Sequence, residues 1–333
     1  MKDSPAQFDL ITIGDSTIDT FIRIHEASVE CDLNKRDCKL CVPYGSKIPV
    51  DTIAYGVAGN ASNVAVGAAR LGLKTAIYTN LGDDEQGRRI KEELVKNEVS
   101  DDYIIVNRGK TSNLSVVLTF QGERTIFVYH QDWFYSLPKL KNSSWVYLTS
   151  IAQTFINSTI MDEVCRYIDK SNAKLIFAPG THQLKADIKR YPRVLEKCDL
   201  LIVNMEEALQ ILGIDVSHFP QARDILNKLI LLGPKSVVVT DGSEGSYGSD
   251  GEQFLKAGII KTQVYEKTGA GDAYSAGLIS ALANGEELKE AMIWGTINSA
   301  AAISVIGPQK GLLTKNELIS KRKSLKDFKI GNL

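Results

Sequence analysis

Short apolar segments alternate with helical patterns along most of the chain, and this alternation restricts the possible folds more than any other feature. The apolar segments occupy residues 8–14, 74–82, 145–148, 175–177, 200–203 and 236–240. Apolar runs of this length are typical of strands that are buried on both faces, in a parallel sheet covered by helices. The sequence therefore predicts a doubly wound α/β fold: a mostly parallel sheet flanked by helices, with ligands bound beyond the carboxyl ends of the strands.

Two segments depart from this alternation. Residues from about 20 to 57 and from 111 to 131 contain stretches in which apolar and polar side chains alternate, as in strands that expose one face. In the second segment, a short polar turn that contains Gly122 separates two such stretches and predicts a hairpin. We expect both segments to form a small lid of β-strands over the mouth of the sheet, inserted into a single domain spanning residues 1–333.

Charge and hydropathy narrow the choice of partner. The 39 Lys and Arg residues nearly balance the 40 Asp and Glu residues, so the net charge is −1. A protein of this charge has no overall field that would attract nucleic acid or an anionic membrane. No stretch approaches 18 uninterrupted apolar residues, and the first eight residues lack the apolar core of a signal peptide. We therefore expect a cytoplasmic protein with a small-molecule ligand and no nucleic-acid or membrane partner.

The cysteines could serve either of two purposes. Cys31, Cys38 and Cys41, with His25 upstream, could supply four zinc ligands from one segment. However, the spacing between Cys31 and Cys38 matches no regular zinc-finger pattern. The odd total of 5 cysteines is typical of a reducing compartment. Reduced surface thiols without bound metal are therefore the favoured interpretation.

The run Gly269-Ala270-Gly271-Asp272 begins a helix of small residues and is the strongest candidate for a functional site. The first amides of a helix have no partner within it, and the helix dipole favours an anion beside them. Asp272 in that first turn could accept the proton of a hydroxyl that attacks a phosphoryl group. The alternative is structural: a tight turn followed by a capping aspartate.

Similar polar turns follow the other predicted strands. Because the carboxyl ends of parallel strands meet at one edge of a sheet, we expect these turns to lie near one another. They comprise Asp15 and Asp19 after the first strand, Gly59, Asn60 and Asn63 at the start of an alanine-rich helix, Asn204 with Glu207, and Thr240, Gly242 and Gly245.

Together with Gly269–Asp272, these motifs resemble those of the ribokinase, or PfkB, family of ATP-dependent sugar and nucleoside kinases, over nearly the whole chain. The resemblance implies a ribokinase-like fold and an enzyme that uses ATP and Mg²⁺. It implies that Asp272 is the catalytic base and that the amides of Gly269, Ala270 and Gly271 form an anion hole. The acceptor would be bound by Asp15, Asp19, Gly59, Asn60 and Asn63, the nucleotide by Asn204, Thr240, Gly242 and Gly245, and Mg²⁺ by Glu207.

Two departures from the family pattern bear on ligands. Glu266 and Lys267 stand where the family usually has Asp-Thr, and the family's monovalent cation site lies beside that pair, so activation by K⁺ stays open. Many sugar-acid kinases of the family carry Asp-x-Asn-x-Arg after a middle strand, where this chain has residues 178–182, Ala-Pro-Gly-Thr-His. A 2-keto sugar acid is therefore a less favoured substrate.

We expect the acceptor to be a small sugar phosphorylated on an alcohol group. A nucleoside is the alternative, and it would need an aromatic clamp for its base. The aromatic residues in or beside the predicted lid are Phe21, Tyr55, Tyr129, Trp133 and Phe134. A non-catalytic ligand-binding protein is a more remote alternative. Open strand edges and apolar faces on the lid predict a homodimer through the lid strands.

Overall fold

The structure is a computed structural model that describes residues 6–32, 38–121, 123–215, 221–325 and 327–333. Residues 1–5 of the N-terminal segment and Gly122 of the predicted hairpin turn lie outside these ranges. None of the helices in the described ranges combines the length and the apolar character needed to cross a membrane.

The strands and helices alternate through most of the chain, as the sequence predicts. The strands are β1 (Phe8–Ile13), β2 (Thr17–Arg23), β3 (Ser28–Cys31), β4 (Cys38–Cys41), β5 (Thr52–Ala58), β6 (Thr75–Gly82), β7 (Ser100–Asn107), β8 (Asn113–Phe120), β9 (Glu123–Tyr129), β10 (Ser143–Leu148), β11 (Lys174–Phe177), β12 (Cys198–Asn204), β13 (Ser236–Thr240), β14 (Ser246–Ser249), β15 (Phe254–Ala257) and β16 (Gly331–Asn332). The helices are α1 (Asn60–Arg70), α2 (Glu85–Lys96), α3 (Ile160–Ser171), α4 (Thr181–Lys185), α5 (Pro192–Glu196), α6 (Met205–Leu212), α7 (Ala222–Ile230), α8 (Ala270–Ala283), α9 (Leu288–Ala302) and α10 (Lys315–Ser324).

A large sheet with the order β16-β15-β14-β13-β12-β11-β10-β1-β6-β7 forms the centre of the molecule. Its strands run parallel from β7 to β13, and β14, β15 and β16 extend it antiparallel at one edge. Apolar side chains on both faces are buried, with α3, α6 and α7 over one face and α1, α8 and α9 over the other. The predicted doubly wound, mostly parallel sheet is confirmed, and the antiparallel edge is an addition to it.

Both segments predicted as lid contribute to a second sheet with the order β5-β2-β8-β9, called the small sheet below. The predicted hairpin is β8 and β9, which pair antiparallel. Strand β2 pairs parallel with β8, so Asp19 lies opposite Ser115, and Ser115 lies opposite Val128. These three residues therefore share one face of the small sheet, and the next residue along each strand lies on the other face.

The expectation of reduced thiols at Cys31 and Cys38 is wrong for this structure. These residues face each other across the β3–β4 hairpin with their Cα atoms 4.0 Å apart, and they form a disulfide. Cys41 is a free thiol on the same hairpin. Within the described ranges, no group of three or more His, Cys, Asp or Glu residues is arranged to hold a metal ion.

Helix α9 ends at Ala302, although mostly apolar residues continue to Ile306. The reason lies in the carbonyl of Ile303, which accepts hydrogen bonds from the backbone amides of Tyr265 and Glu266. This carbonyl is thus hydrogen-bonded to the segment before α8. If the helix continued, it would accept from the amide of Gly307 instead.

Candidate active site

The start of α8 has the backbone geometry that an anion site requires. Gly269 is the N-cap with φ of 81°, and a Cβ at this position would lie 2.6 Å from Cβ of Pro308. A Cβ at Gly271 would meet nothing within 4 Å. Glycine at 269 is therefore required by the fold, while the space beside Gly271 is open to a ligand.

The three predicted donors of the anion hole are not equivalent. The amide of Ala270 donates to the carbonyl of Lys267 at 3.2 Å. In the described part of the chain, the amides of Gly269 and Gly271 have no hydrogen-bond acceptor. A free amide in the first turn of a helix can bind an anion, and the helix dipole adds to its attraction.

Asp272 is buried, with a relative exposure of 9%, and both of its oxygens are held by side-chain amides. Its Oδ1 accepts from Nδ2 of Asn60 at 2.9 Å, and its Oδ2 accepts from Nδ2 of Asn63 at 2.8 Å. Burial raises the pKa of Asp272 to about 6, against the lowering effect of the two hydrogen bonds. A carboxylate with a pKa near neutrality is suited to accept a proton during turnover.

The sequence missed the residue that orients Asn63. Gln309 donates from Nε2 to Oδ1 of Asn63 at 3.0 Å and is itself buried. This contact fixes the amide of Asn63 with its nitrogen towards Asp272. The sequence around it, Gly307-Pro308-Gln309-Lys310-Gly311, indicates only a break in regular structure.

Gly59 places α1 against the end of β1. Its φ is 99°, and a Cβ there would lie 2.4 Å from the carbonyl oxygen of Asp15. This close approach brings the first turn of α1, with Asn60 and Asn63, to the carboxyl end of the large sheet. In the structure both asparagines donate to Asp272. Their contact with the acceptor stays a prediction.

Asp19 lies on β2, on the face of the small sheet that is turned towards Asp272. It is buried and lies opposite Ser115 on β8. Burial, and to a smaller extent the charges of Asp272 and Glu266, raise the pKa of Asp19 to about 6. The structure thus brings Asp19, Asp272 and Glu266 within electrostatic reach of one another.

Asp15 has a different environment from Asp19. Its Oδ1 and Oδ2 accept from the hydroxyl of Tyr135 at 2.9 and 2.8 Å, and Oδ2 also accepts from the amide of Ala152 at 2.9 Å. Burial raises its pKa to about 7. These bonds tie the end of β1 to the chain on both sides of β10, and they occupy the carboxylate that was predicted to bind the acceptor.

A cavity of about 690 Å³ brings the predicted nucleotide turn to the start of α8. Its walls include Thr240, Gly242, Gly245, Ala270 and Gly271. Its apolar walls could not be predicted from the sequence, because the segment before α8 has no regular pattern. These apolar residues include Ile259, Val264, Ala300 and Ile303.

Asn204 and Glu207 form a capping box at the start of α6. Oδ1 of Asn204 accepts from the amide of Glu207, and Oε2 of Glu207 accepts from the amide of Asn204, both at 2.8 Å. Asn204 lies beside Thr240 across the β12–β13 pair, and therefore beside the nucleotide cavity. Burial raises the pKa of Glu207, with smaller contributions from the charges of Glu206 and Asp272.

Of the aromatic residues near the small sheet, Phe134 is 76% exposed, and the other four are buried or lie away from Asp19. Phe21 shares the face of Asp19 but is buried, and Trp133 is buried as well. Tyr55 and Tyr129 lie on the opposite face of the small sheet, because they pair with Thr20 and Leu114 respectively.

Sequence similarity agrees with this geometry. Residues 24–315 match the family described as pfkB family carbohydrate kinase. The ATP-dependent 6-phosphofructokinase of Thermoanaerobacterium thermosaccharolyticum is 25% identical over 316 residues, which cover 90% of this chain and 89% of that protein. The ribokinase of Bacillus subtilis is 29% identical over 268 residues, which cover 78% of this chain and 85% of that protein.

Solved structures show the same fold. A ribokinase of Arabidopsis thaliana, complexed with ribose and ATP, superposes with a TM-score of 0.76 at 22% identity and covers 94% of this chain and 98% of its own. A nucleoside kinase of Methanocaldococcus jannaschii gives a TM-score of 0.73 at 20% identity, covering 95% and 98%. With a family match over most of its length, a ribokinase-like fold and a cavity at the start of α8, the chain belongs to the pfkB family of carbohydrate kinases and is an ATP-dependent sugar kinase.

Proposed function

We propose that this kinase transfers the terminal phosphoryl group of ATP to an alcohol group of a small sugar held between Asp19 and Asp272. One observation carries the proposal. The cavity lined by Thr240, Gly242 and Gly245 opens onto the first turn of α8, and the same turn holds the buried carboxylate of Asp272.

Asp272 accepts the proton of the attacking hydroxyl. Its pKa of about 6 leaves the carboxylate mostly ionised at neutral pH, yet basic enough to take a proton as the hydroxyl oxygen attacks phosphorus. The amides of Asn60 and Asn63 hold the carboxylate in one orientation. Its position therefore does not have to be fixed at the moment of reaction.

The first turn of α8 binds the phosphoryl group during transfer. Charge on the equatorial oxygens of that group is met by the free amides of Gly269 and Gly271 and by the positive end of the helix dipole. The open space beside Gly271 gives the group room to approach the backbone.

Mg²⁺ fits the residues present. Nucleotide-bound Mg²⁺ is usually held by one or two carboxylates together with phosphates and water. Oε2 of Glu207 accepts from the amide of Asn204, while no hydrogen bond engages Oε1 in the described residues. Glu207 would hold the ion, directly or through water, and the ion would neutralise charge on the phosphates. The proposal leaves K⁺ out, because Glu266 and Lys267 stand where the family usually has the Asp-Thr pair beside its monovalent cation site.

A sugar fits the acceptor side better than a nucleoside does. Asp19 is a carboxylate that can accept hydrogen bonds from two neighbouring hydroxyls. Four of the five aromatic side chains that could clamp a base are buried or lie on the other face of the small sheet, and the fifth, Phe134, is 76% exposed. The related enzymes, a 6-phosphofructokinase, a ribokinase and 5-dehydro-2-deoxygluconokinases, act on different sugars and so define a useful panel.

The test is ADP release by the purified protein with Mg²⁺-ATP and a panel of acceptors. The panel holds ribose, fructose, fructose 6-phosphate, 5-dehydro-2-deoxygluconate, adenosine and inosine. We expect one sugar or sugar phosphate to be turned over, and the phosphorylated product to be visible by mass spectrometry. Turnover of nucleosides alone would reassign the acceptor, and ADP release that no acceptor stimulates would overturn the proposal.

A further inference from the structure

Two oppositely charged pairs join the small sheet to the segment that leads into α8. Glu123 and Arg124 begin β9, and Glu266 and Lys267 directly precede Thr268. Nη1 of Arg124 lies 3.5 Å from Oε1 of Glu266, and Nζ of Lys267 lies 3.9 Å from Oε1 of Glu123. Each side thus presents one acid and one base to the other.

The two pairs differ in burial. The side chains of Lys267 and Glu123 are 63% and 85% exposed, so water screens their attraction and the pair contributes little. The side chain of Glu266 is only 10% exposed, and that of Arg124 is 36% exposed. Charge at Glu266 is therefore less screened, and its pairing with Arg124 is the stronger of the two.

Glu266 also holds the turn that precedes the anion hole. Its Oε1 accepts from the amide of Thr268 at 2.9 Å and from the Thr268 hydroxyl at 2.7 Å. Thr268 is the residue before Gly269, the N-cap of α8. A shift of the Glu266 carboxylate would therefore move the start of α8.

We propose that Glu266 and Arg124 are positioning residues for phosphoryl transfer, in which Arg124 holds Glu266 and Glu266 holds the turn that sets the amides of Gly269 and Gly271. This inference rests on the proposed function of those amides. Ser115, which lies opposite Asp19, is on β8, the neighbour of β9. Arg124 consequently belongs to the same sheet as the proposed acceptor contact of Asp19. When that sheet closes on an acceptor, the movement acts on the anion hole through Arg124 and Glu266.

The distance between Arg124 and Glu266 suits such a coupling. At 3.5 Å, the contact is at the outer limit of a direct hydrogen bond. A small movement of β9 towards the segment strengthens the pair, and a small movement away breaks it. Since the amides of Tyr265 and Glu266 are bonded to Ile303, the segment has a fixed anchor on the large-sheet side.

The experiment is a double-mutant cycle on kcat, with the acceptor identified by the panel. Arg124→Ala should lower kcat by roughly 3- to 30-fold, the range expected when a coupling between two sites is weakened. The KM for ATP should stay within about twofold, since Arg124 does not line the nucleotide cavity. Arg124→Lys should recover part of the loss, because an ammonium group can still pair with Glu266.

The second arm tests the link through Glu266. Glu266→Gln keeps an oxygen for Thr268 but removes the charge that Arg124 meets. If the two residues act as one unit, Arg124→Ala combined with Glu266→Gln should lower kcat no further than the more damaging single change. Matched controls are Arg23→Ala, which removes a guanidinium from the same end of the small sheet, and Glu123→Gln in the exposed pair. Neither control should change kcat more than about twofold.

The outcomes separate this inference from the proposed function. Unchanged kcat in Arg124→Ala, or strictly additive losses in the double variant, would overturn the positioning role while wild-type phosphorylation of a sugar still stands. A loss of kcat in Arg124→Ala that appears equally in Arg23→Ala would also overturn the positioning role. The effect would then come from the loss of any positive charge at this end of the small sheet. If the wild type phosphorylates no acceptor, the proposed function fails first, and this inference fails with it.

Discussion

At the scale of single residues, the centre of the site is a carboxylate whose environment opposes its charge. Asp272 is buried, yet it has two amide donors and no cation among its hydrogen-bond partners. Burial makes it a better base, and the amides keep it aligned. The same reasoning explains why Asp15 and Asp19, both buried, also have raised pKa values.

Replacing the base should remove most of the activity without unfolding the protein. Asp272→Asn keeps the shape of the side chain but cannot accept the proton, so kcat should fall by roughly 10²–10⁴-fold, the usual contribution of a positioned acid or base. Affinity for ATP, measured by equilibrium binding, should stay close to that of the wild type. Near wild-type kcat in this variant would exclude Asp272 as the base.

The activity should depend on pH through the same group. Only ionised Asp272 can accept a proton, so kcat at saturating acceptor should fall about tenfold for each pH unit below about 6. We do not expect unfolding to cause this fall in kcat at low pH. The pKa values of Asp15, Asp19 and Asp272 are raised in the folded state from 3.8 to about 7, 6 and 6. Their contribution to stability is therefore full below pH 4 and is lost as the pH rises through 6 to 7.

A rate profile and a melting profile recorded over pH 4.5–8 would check this assignment. We expect the rate to fall as the pH is lowered. These three groups should not make the melting temperature fall in parallel. A rate that is flat down to pH 5 would contradict the assigned role of Asp272.

The metal role of Glu207 can be tested in the same way. Glu207→Gln keeps an oxygen that can accept from the amide of Asn204, so the start of α6 should persist, but it removes the negative charge. The Mg²⁺ concentration for half-maximal rate should rise, while the KM for the acceptor stays almost unchanged. An identical Mg²⁺ dependence would leave Glu207 with its capping role alone.

At the scale of elements, the proposed acceptor site depends on the small sheet. Asp19 is on β2, its partner Ser115 is on β8, and Asp272 faces them from α8. The proposed acceptor contacts therefore come from the small sheet and from a helix that packs on the large sheet. The position of one sheet over the other then decides whether the site is open or closed to water.

Asp19→Ala should weaken acceptor binding specifically. Each charge-assisted hydrogen bond lost should cost about 1.5–3 kcal/mol of binding free energy. The Kd for ATP without acceptor should change less than about twofold, because Asp19 does not line the nucleotide cavity. Calorimetric titration of each ligand separately measures both effects, and equal losses for ATP and acceptor would point to a misfolded site.

Elements with strong local patterns could be predicted from the sequence, and contacts between distant elements could not. Strand β1 and the β8–β9 hairpin could be predicted, because an apolar run and a polar turn are patterns of neighbouring residues. Strand β14 contains serine and glycine and has no alternation, and it forms because β13 offers an edge. The bonds from Asn60 and Asn63 to Asp272 span over 200 residues, and nothing local specifies them. The disulfide at Cys31 likewise depends on the register of a hairpin, which the sequence pattern did not reveal.

At the scale of the whole molecule, the small sheet exposes an apolar outer face. This face, which points away from Asp19, carries Tyr55, Phe127 and Tyr129, which are 49%, 60% and 48% exposed. Ile53 beside them is 56% exposed. A contiguous apolar face of this kind is a common site of association between subunits. We propose a homodimer in which the outer faces of two small sheets pack against each other.

Sedimentation velocity should show a dimer of the wild type, and Phe127→Glu should shift it towards monomer, because a buried unpaired carboxylate at the centre of an apolar contact is strongly unfavourable. Val128→Glu is the matched control. Val128 neighbours Phe127 on the same strand and is 59% exposed, but it lies on the face that Asp19 occupies. The control should therefore remain dimeric even if its kinetics change. A wild type that is monomeric at all concentrations and fully active would rule out pairing through the small sheet, while leaving the acceptor role of Asp19 to the binding measurement.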